Sequence, residues 1–425
     1  MPRHARPKGT KDFVPPESLK KLFIESTFRD LAFLYGYQEI VTPTFEHTEV
    51  FIKSSGIASD IVNKEMYTFT DRAERSLTLK PEGTPGVVRA VIENQLKTPC
   101  RLFYIAPCFR YNRPQKGRYR EFYQLGIEAI GEASPFVDAE VVHFGVQFFQ
   151  RLGIDECVVK VNSIGCRVCR AGLRQSLVVF LEEKKDRLCP DCQRRLQLSP
   201  LRVLDCKEET CSKVIAGAPA PREHLCSECS KHFSQFTERL KETDIRFEID
   251  DRLVRGLDYY NRTTFEFVSP LLGSQNSLGG GGRYDYLFEE FGGPPTPAIG
   301  LAIGLERTLL AMPVKEEKTR RPLAFVIWTG EEERTFALEL LKELREQKIP
   351  AQMAFDNPKL KRQLHLADIA GATYAVIVGA DELKKGACAV KDLLTAKQVE
   401  VPRGELTSWL KSALNLNRSR QGHTP

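Results

Sequence analysis

The fold is restricted most by a basic segment that lies between two apolar runs. RLFYIAPCF (101–109) and QLGIEAIG (124–131) are strand-like, and RYNRPQKGRYREFYQ (110–124) places five cationic and four aromatic side chains in fifteen positions. The pattern predicts an antiparallel hairpin with a long, charged loop at its tip. Such a loop must be surrounded either by solvent or by a polyanion, and the remaining sequence has to distinguish between the two.

Other segments of the first 312 residues extend this pattern. ESLKKLFIESTFRDLAFLYG (17–36) predicts an amphipathic helix that ends at Gly36, and YQEIVTPTF (37–45), SLTLK (76–80) and TTFEFVS (263–269) predict strands. Pro43 restricts its strand to an edge or an unusual pairing, because proline cannot donate to the ladder. Strands with few crossover helices between them favour a mixed, mainly antiparallel α+β domain over a Rossmann fold.

The chain of 425 residues is too long for a single hydrophobic core. Eight of its twelve cysteines lie within 166–245, which we expect to form a separate unit inserted into the first domain. LAFVIW (323–328) and YAVIVG (374–379) predict buried strands around an amphipathic helix, as in a small α/β domain. The predicted organisation is a first domain at 1–165 and 246–312, the insertion at 166–245, a linker at 313–322, an α/β domain at 323–414 and a disordered tail at 415–425.

Composition excludes several classes of protein. With 42% hydrophobic and 28% charged residues, the chain is typical of a soluble globular protein. No apolar run approaches the roughly 20 residues of a membrane helix, and the basic start MPRHARPKGTKDF lacks the apolar stretch of a secretory signal. We therefore expect a cytoplasmic protein. The net charge of +6 is compatible with nucleic-acid binding, although many unrelated proteins carry as much.

Four further segments carry residues suited to chemistry. TLKPEGTPG (78–86) places Glu82 on a turn, and VRGLDYYNRTTFEF (254–267) places Arg255 beside tyrosines, where a buried cation needs an anionic partner. SLGGGGRYD (277–285) has four glycines that would let backbone approach a ligand closely, followed by Arg283. AIGLAIGLERTLLAM (298–312) predicts a helix with Arg307 in its first turn. Each segment alone also fits an ordinary turn, packing helix or surface loop.

Together and in this order, the segments resemble the motifs of class II aminoacyl-tRNA synthetases, and specifically of bacterial-type histidyl-tRNA synthetases. VTPTFE (41–46) resembles motif 1, FRYNRPQKGRYREFYQLGIE (109–128) motif 2 and AIGLAIGLER (298–307) motif 3. TLKPEGT, RGLDYYNRTTFEF and GGGGRYD resemble the histidine-specific signatures. Two positions depart from the family pattern: Lys80 in the first signature, where Arg is commoner, and Tyr123 in motif 2, where His is commoner. The resemblance implies an antiparallel catalytic domain with a Cys-rich insertion, an α/β anticodon-binding domain and a homodimer.

The resemblance also implies a reaction and the residues that perform it. ATP, with Mg²⁺, would activate L-histidine to histidyl-adenylate, and the histidyl group would pass to the 3′ end of histidine tRNA. The implied catalytic and ATP-binding residues are Arg110, Arg255 and Arg307. The implied histidine-binding residues are Glu82, Gly83, Thr84, Arg110, Gln124, Glu128, Arg255, Tyr259 and Tyr260. The implied tRNA-binding residues are Arg113, Gln115, Lys116, Arg118 and Arg120, with Lys359, Lys361, Arg362, Lys384 and Lys385 as candidates for the anticodon stem.

One alternative is a non-catalytic protein that has the same fold as the catalytic domain. The regulatory subunit of ATP phosphoribosyltransferase is similar to these synthetases and binds histidine as a signal. Such proteins usually lack the anticodon-binding domain and lose the motif 2 and motif 3 arginines. Here those arginines and the domain from 323 onward are present, which favours the ligase.

The cysteines of the insertion suggest a metal, although the sequence leaves the question open. They are Cys166, Cys169, Cys189, Cys192, Cys206, Cys211, Cys226 and Cys229. In a reducing compartment, cysteines spaced in this way bind zinc more often than they form disulfides. Two structural zinc sites and a set of merely reduced thiols are both compatible with the sequence, and the division of four pairs between two ions cannot be read from it. No catalytic metal motif is expected.

Overall fold

The computed structural model describes residues 4–56, 59–313, 324–356 and 359–420. The chain divides into two units, Met1–Val314 and Lys315–Pro425. The division falls within the linker predicted at 313–322, of which all but Pro313 lies outside the described residues.

The first unit combines a large sheet, a small sheet and helices around them. Its helices and strands in chain order are α1 (Glu17–Leu34), β1 (Gln38–Glu39), β2 (Phe45–His47), α2 (Thr48–Ser55), β3 (Tyr67–Thr70), β4 (Ser76–Leu79), α3 (Thr84–Glu93), β5 (Cys100–Phe109), β6 (Glu121–Ile130), α4 (Pro135–Arg151), β7 (Val158–Ser163), α5 (Arg167–Glu182), α6 (Pro190–Leu198), α7 (Glu209–Ile215), α8 (Ser227–Glu242), β8 (Phe247–Ile249), β9 (Asn261–Val268), β10 (Ser277–Arg283), α9 (Leu287–Glu290), β11 (Ala298–Gly304) and α10 (Leu305–Ala311). A π-helical turn spans Ile61–Glu65, and 3-10 helices span Lys185–Arg187, Pro200–Asp205, Pro221–His224 and Pro270–Gln275.

The large sheet has the strand order β1-β5-β6-β11-β10-β9-β7-β8. Its two terminal pairs, β1 with β5 and β7 with β8, are parallel, and the pairs between them are antiparallel. The hairpin β5–β6 is paired from Cys100 opposite Ile130 to Phe109 opposite Glu121, which confirms the predicted hairpin and its loop. The predicted mainly antiparallel α+β architecture is confirmed as well.

The strand predicted around Pro43 differs from the structure. β1 ends at Glu39 and β2 begins at Phe45, so Pro43 lies between two short strands that belong to different sheets. The missing N–H of proline accounts for the break, because residue 43 cannot donate to either ladder. The predicted helix at 17–36 is present as α1, and the predicted strands at 76–80 and 263–269 are present as β4 and β9.

The run of glycines forms a strand in the middle of the large sheet, which the sequence does not suggest because glycine disfavours strands. β10 pairs with β9 on one side and β11 on the other. A Cβ atom at Gly281 would lie 1.9 Å from the carbonyl oxygen of Gly300 on the neighbouring strand. Glycine is therefore required here because the backbones of the two strands approach closely.

Residues 166–245, predicted to be an inserted unit, pack against the first domain through two core clusters. α8 places Phe233, Phe236 and Leu240 in the same apolar core as Phe28 and Phe144 of the first domain. α5 contributes leucines to a second core cluster that includes strand residues of β5 and β6. The amphipathic pattern of a helix shows that one face is buried but not which partner buries it.

The second unit is an α/β layer structure, as predicted. Its helices and strands are β12 (Ala324–Trp328), α11 (Glu331–Glu346), β13 (Ala351–Met353), α12 (Leu360–Ile369), β14 (Tyr374–Val378), α13 (Ala380–Lys385), β15 (Ala387–Asp392), β16 (Gln398–Pro402) and α14 (Leu406–Arg420), with a 3-10 helix at Arg403–Glu405. The sheet order is β13-β12-β14-β15-β16. α14 continues to Arg420, so 415–420 are helical where the sequence predicts a disordered tail, and 421–425 lie outside the described residues. Among the described helices, none is long and apolar enough to cross a membrane.

Candidate active site

A cavity of about 340 Å³ lies against the central strands of the large sheet. β6, β10 and β11 contribute Gln124, Gly280 and Gly300 to it, and the turn after β4 and the segment before β9 form its walls. The histidine-site residues expected from the sequence that line this cavity are Glu82, Thr84, Arg110, Gln124, Arg255, Tyr259 and Tyr260. They come from separate parts of the chain, and the sheet brings them together.

Glu82 is a buried carboxylate with two hydroxyl partners. Tyr259 donates to its Oε2 at 2.8 Å and Ser55 donates to its Oε1 at 3.3 Å. Burial raises the pKa of Glu82, whereas the charge of Arg110 and the bond from Tyr259 oppose this rise. The two hydroxyl groups hold the carboxylate at the cavity wall, where it can accept hydrogen bonds from a cationic group.

Glu128 lies fully buried directly behind the cavity wall. Its Oε1 accepts from Thr84 at 2.7 Å and its Oε2 accepts from Tyr284 at 2.6 Å. Burial raises the pKa of Glu128 to about 8. A Cβ atom at Gly300 would lie 1.9 Å from Oε2 of Glu128, so the space for this carboxyl group depends on the absence of a side chain on β11.

Gly83 and Gln124 connect the turn after β4 to the hairpin. The backbone N–H of Gly83 donates to Oε1 of Gln124 at 3.1 Å. A Cβ atom at Gly83 would lie 2.3 Å from the ring of Tyr104, which explains glycine at this position. The side chain of Gln124 is thereby fixed at the cavity, between Gly83 and the thiol of Cys108 at 3.4 Å.

Three arginines converge on this cavity and its neighbour. Arg110 and Arg255 line the first cavity, and Arg110 and Arg307 line a second cavity of about 280 Å³. Arg118 also lines both. The pKa of Arg307 is lowered by its burial and by the positive charges of Arg118, Arg110 and Arg255. Cations held this close together indicate a site for a polyanion.

A network around Glu266 positions two of these arginines. Arg255 Nη1 donates to Oε1 of Glu266 at 2.9 Å, and Ser277 Oγ donates to the same oxygen at 2.8 Å. The carbonyl oxygen of Ser277 accepts from Arg307 Nη1 at 2.8 Å. A Cβ atom at Gly280 would lie 2.9 Å from Nη1 of Arg255, so the glycine strand also makes room for the guanidinium.

The basic loop between β5 and β6 does not act as one surface. Arg113, Gln115 and Lys116 are exposed. Arg118 is directed inward and donates to Oδ1 of Asn112 at 3.0 Å. Arg120 packs at the base of the loop, where its guanidinium lies 3.8 Å from the ring centroid of Tyr111.

Comparison with known proteins agrees with this site. Residues 9–308 match the family model described as histidyl-tRNA synthetase, and residues 323–413 match that of an anticodon binding domain. The chain belongs to the histidyl-tRNA synthetase family. It is 45% identical over 415 residues to the histidine–tRNA ligase of Clostridioides difficile, covering 96% of this chain and 99% of that protein.

Two other members of the family are similar to this chain over nearly its whole length. The histidine–tRNA ligase of Desulforudis audaxviator is 46% identical over 413 residues, which cover 96% of this chain and 98% of that protein. The crystal structure of apo S. aureus histidyl-tRNA synthetase superposes with a TM-score of 0.81 at 33% identity, covering 96% of this chain and all of that one. These similarities support a synthetase and do not support the regulatory-subunit alternative.

The structure adds residues that the family motifs did not single out. Glu266 and Tyr284 lie within the segments RGLDYYNRTTFEF and GGGGRYD, but the resemblance assigned neither residue a role. The only signal for Glu266 was its position between two phenylalanines of a buried strand. From the Cys-rich segment, Arg195, Arg202 and Asp205 line the first cavity. No signal in the sequence places them there, because they reach the cavity through helix packing.

Arg283, which follows the glycine run, lines neither of the two cavities and has a structural role in the core. Its guanidinium is fully buried, with Nη2 2.6 Å from Oδ1 of Asp138 and Nη1 3.2 Å from Asp285. Asp138 also accepts from His232 of α8 at 2.8 Å. This group of charges joins α4, α8 and β10 in the core.

The eight cysteines of the insertion form two clusters. The first cluster is Cys166, Cys169, Cys226 and Cys229, and the second cluster is Cys189, Cys192, Cys206 and Cys211. Within each cluster the four sulfur atoms lie within 4.8 Å of one another, and all eight thiols are free. The clusters can bind a metal ion, and the structure gives the division of the four pairs that the sequence left open.

In the second unit, the basic side chains considered for the anticodon stem are all exposed; they are Lys359, Lys361, Arg362, Lys384 and Lys385. Lys385 pairs with Glu400 at 2.9 Å. Their exposure is compatible with contacts to a phosphate backbone and identifies no particular contact.

Proposed function

We propose that the chain is a histidine–tRNA ligase. It would activate L-histidine with ATP to histidyl-adenylate and pyrophosphate, and then transfer the histidyl group to the 3′ end of histidine tRNA. The observation that carries this proposal is the convergence of Arg110, Arg255 and Arg307 on two adjoining cavities, one of which holds the histidine-site residues. Both steps build negative charge on oxygen atoms, which fixed cations stabilise in the transition state.

In this proposal the amino acid occupies the first cavity. Its α-ammonium group would bind to Glu82 and Thr84, and Gln124 would contact the substrate. Glu128 and Tyr260 would flank the imidazole ring, with Tyr259 forming the wall between. The buried hydrogen bonds of Glu82 and Glu128 support this arrangement, because matched polar groups reject amino acids that lack an imidazole.

ATP would extend from the first cavity into the second. Arg110 lines both cavities and would hold the α-phosphate, with Arg255 on its other side and Arg307 at the distal phosphates. Mg²⁺ would be held mostly by phosphate oxygens, and the carboxylates of Glu65 and Asp205 on the cavity wall suit an ion that prefers oxygen ligands. When bound, it would neutralise charge on the pyrophosphate.

The exposed part of the basic loop would meet the acceptor end of tRNA. Arg113 and Lys116 would contact phosphates. The candidates for reading the extra 5′ guanosine of histidine tRNA are the exposed Gln115 and the half-buried Arg120 at the base of the loop. Arg118 lines both cavities, which supports a role toward ATP in addition to tRNA. The exposed basic residues of the second unit would meet the anticodon stem.

We further propose that the protein is a cytoplasmic homodimer. Apolar side chains on the motif 1 segment support the dimer: Val41 is 88% exposed and Phe45 is 49% exposed, and Phe69 packs beside Phe45. Large apolar side chains left exposed in this way are typical of an interface. A structural Zn²⁺ is a candidate for the two cysteine clusters, with no part in the chemistry.

Aminoacylation of histidine tRNA, with and without its extra 5′ guanosine, tests the proposed function. We expect histidine-dependent charging that falls strongly when the guanosine is removed, while histidine-dependent ATP–pyrophosphate exchange continues without tRNA. A folded protein that binds histidine but catalyses neither reaction would overturn the assignment.

A further inference from the structure

The sulfur positions of the two cysteine clusters match the geometry of a metal site. Cys166 and Cys169 have sulfur atoms 3.6 Å apart, and Cys189 and Cys206 have sulfur atoms 3.9 Å apart. A tetrahedral Zn²⁺ with Zn–S bonds of about 2.3 Å places neighbouring sulfur atoms about 3.8 Å apart. Disulfides require about 2.05 Å, so the thiols are spaced for a common ion rather than for one another.

The chemistry of the ligands also favours zinc. Each cluster offers four sulfur atoms and no oxygen donor, a set that selects soft or borderline metals such as Zn²⁺. Cys166, Cys189 and Cys226 each occupy the N-cap of a helix, where the helix dipole stabilises a thiolate. The remaining cysteines, Cys100, Cys108, Cys157 and Cys388, belong to neither cluster.

The first cluster is connected to the candidate active site through Arg170. This residue follows Cys169 directly in the first turn of α5. Its Nη1 donates to the carbonyl oxygen of Tyr260 at 3.0 Å and to that of Asp258 at 3.4 Å. The position of the α5 N-terminus therefore determines how the backbone just before β9 is held.

The second cluster is connected to the same backbone through Arg202. This buried residue lies in the 3-10 helix Pro200–Asp205, and Cys206 is the C-cap of that helix. Its Nε donates to Oδ1 of Asp258 at 2.9 Å, and its Nη2 donates to the carbonyl oxygen of Gly256. Two arginines, one beside each cluster, thus hold the segment 256–260 from the side of the insertion.

We propose that each cluster binds one Zn²⁺ and that the two ions hold Arg170 and Arg202 in place to fix the segment 256–260, which carries Tyr259 and Tyr260 into the cavity. α6, α7 and the 3-10 helix between them are each short, and a structural ion would fix their positions relative to one another. Arg170 and Arg202 are positioning residues. The inference rests on the proposed function only for its kinetic readout.

Metal content of the full-length protein, purified under reducing conditions and dialysed against a weak chelator, tests the sites themselves. We expect two Zn²⁺ per chain, one in Cys192→Ser, one in Cys229→Ser and none in the double variant. Cys100→Ser, outside both clusters, is the matched control and should retain two. Wild-type protein that contains no zinc, and that takes up none when Zn²⁺ is added to the reduced, folded chain, would overturn the metal sites.

Hydrogen–deuterium exchange tests the connection to the active site independently of activity. We expect amides of 256–260 to exchange faster in Cys192→Ser and in Arg202→Met, although Arg202→Met retains both ions. In ATP–pyrophosphate exchange, the KM for histidine should rise about tenfold in Arg202→Met, with partial recovery in Arg202→Lys. Unchanged protection of 256–260 in Cys192→Ser, which keeps one ion, and in Arg202→Met, which keeps two, would refute the positioning role. If the variants lose amide protection at 256–260 but the wild-type protein catalyses no ATP–pyrophosphate exchange, the proposed function alone would be refuted.

Discussion

Arg255 and Glu266 form an ion pair at 2.9 Å beside the cavity that most of the predicted histidine-binding residues line. The pair is reinforced by Ser277, which donates to the same carboxylate and whose carbonyl oxygen accepts from Arg307. Glu266 therefore positions two of the three proposed catalytic cations, although we do not place it in contact with a substrate.

Replacing this carboxylate tests that relationship. Glu266→Gln removes the charge that orients Arg255 while preserving the shape of the side chain. We expect the rate of histidine-dependent ATP–pyrophosphate exchange to fall by about ten- to a hundredfold, equivalent to about 1.4–2.7 kcal/mol of transition-state stabilisation. Glu248→Gln, an exposed glutamate on the nearby strand β8, is the matched control. Equal rates in the two variants would show that Glu266 does not position the arginine.

The close approach of Gly300 to Glu128 gives a second prediction. Gly300→Ala would place a Cβ atom 1.9 Å from Oε2 of Glu128 and displace the carboxyl group from Thr84 and Tyr284. We expect a loss of about 1–3 kcal/mol in the free energy of unfolding, measured by urea titration, and weaker histidine binding. Gly172→Ala, where the nearest atom lies at 3.8 Å, should leave histidine binding unchanged and should raise the free energy of unfolding slightly, because alanine favours the interior of α5. Full histidine affinity in Gly300→Ala would contradict the assigned role of Glu128.

The raised pKa of Glu128 predicts how stability depends on pH. The pKa is about 8 in the folded protein against an ordinary value of 4.5, so the folded state retains a proton that the unfolded state releases in between. Its contribution to stability is fully present below about pH 4.5 and is lost as the pH rises toward 8. Glu306, whose pKa burial raises to about 7, acts in the same direction.

Urea titrations at several pH values separate the part due to Glu128. Between pH 5 and pH 8, we expect the free energy of unfolding to fall more steeply in wild type than in Glu128→Gln, by up to about 1.4 kcal/mol per pH unit. Parallel curves for the two proteins would show that this carboxyl group titrates normally.

The basic loop has inward-directed and exposed cations, and we expect substitutions of the two kinds to affect different steps of the reaction. Arg118 lines both cavities, so Arg118→Ala should slow ATP–pyrophosphate exchange, a reaction that needs no tRNA. Lys116 is exposed, so Lys116→Ala should raise the KM for tRNA several-fold and reduce its dependence on salt. If both variants changed only the KM for tRNA, the inward position of Arg118 would have no function in activation.

The sequence predicts local features of this fold better than contacts between distant segments. α1 follows from apolar periodicity, and the hairpin β5–β6 and the strands β12 and β14 follow from apolar runs, which their burial confirms. Pro43 interrupted a predicted strand, since the absence of an N–H outweighed the β-forming residues around it. The glycine strand β10 was not predicted, because its reason is the approach of β11 and not a local preference.

The candidate site shows the same limit. Glu82, Arg110, Arg255 and Arg307 were selected only through the resemblance of their motifs, since each segment alone suits an ordinary surface feature. Arg202 could not be selected in this way, because its contacts with the segment 256–260 arise from the packing of the insertion. The division of cysteines into two clusters likewise needs the helix positions, as the first cluster joins residues about sixty positions apart.

Histidine-dependent ATP–pyrophosphate exchange in wild type and in Arg255→Gln tests most directly whether the three arginines surround one triphosphate beside a histidine pocket. We expect rapid exchange in wild type that requires histidine, and a loss of about a hundredfold or more in the variant while its free energy of unfolding stays close to that of wild type. Exchange that is undiminished in folded Arg255→Gln would contradict this account.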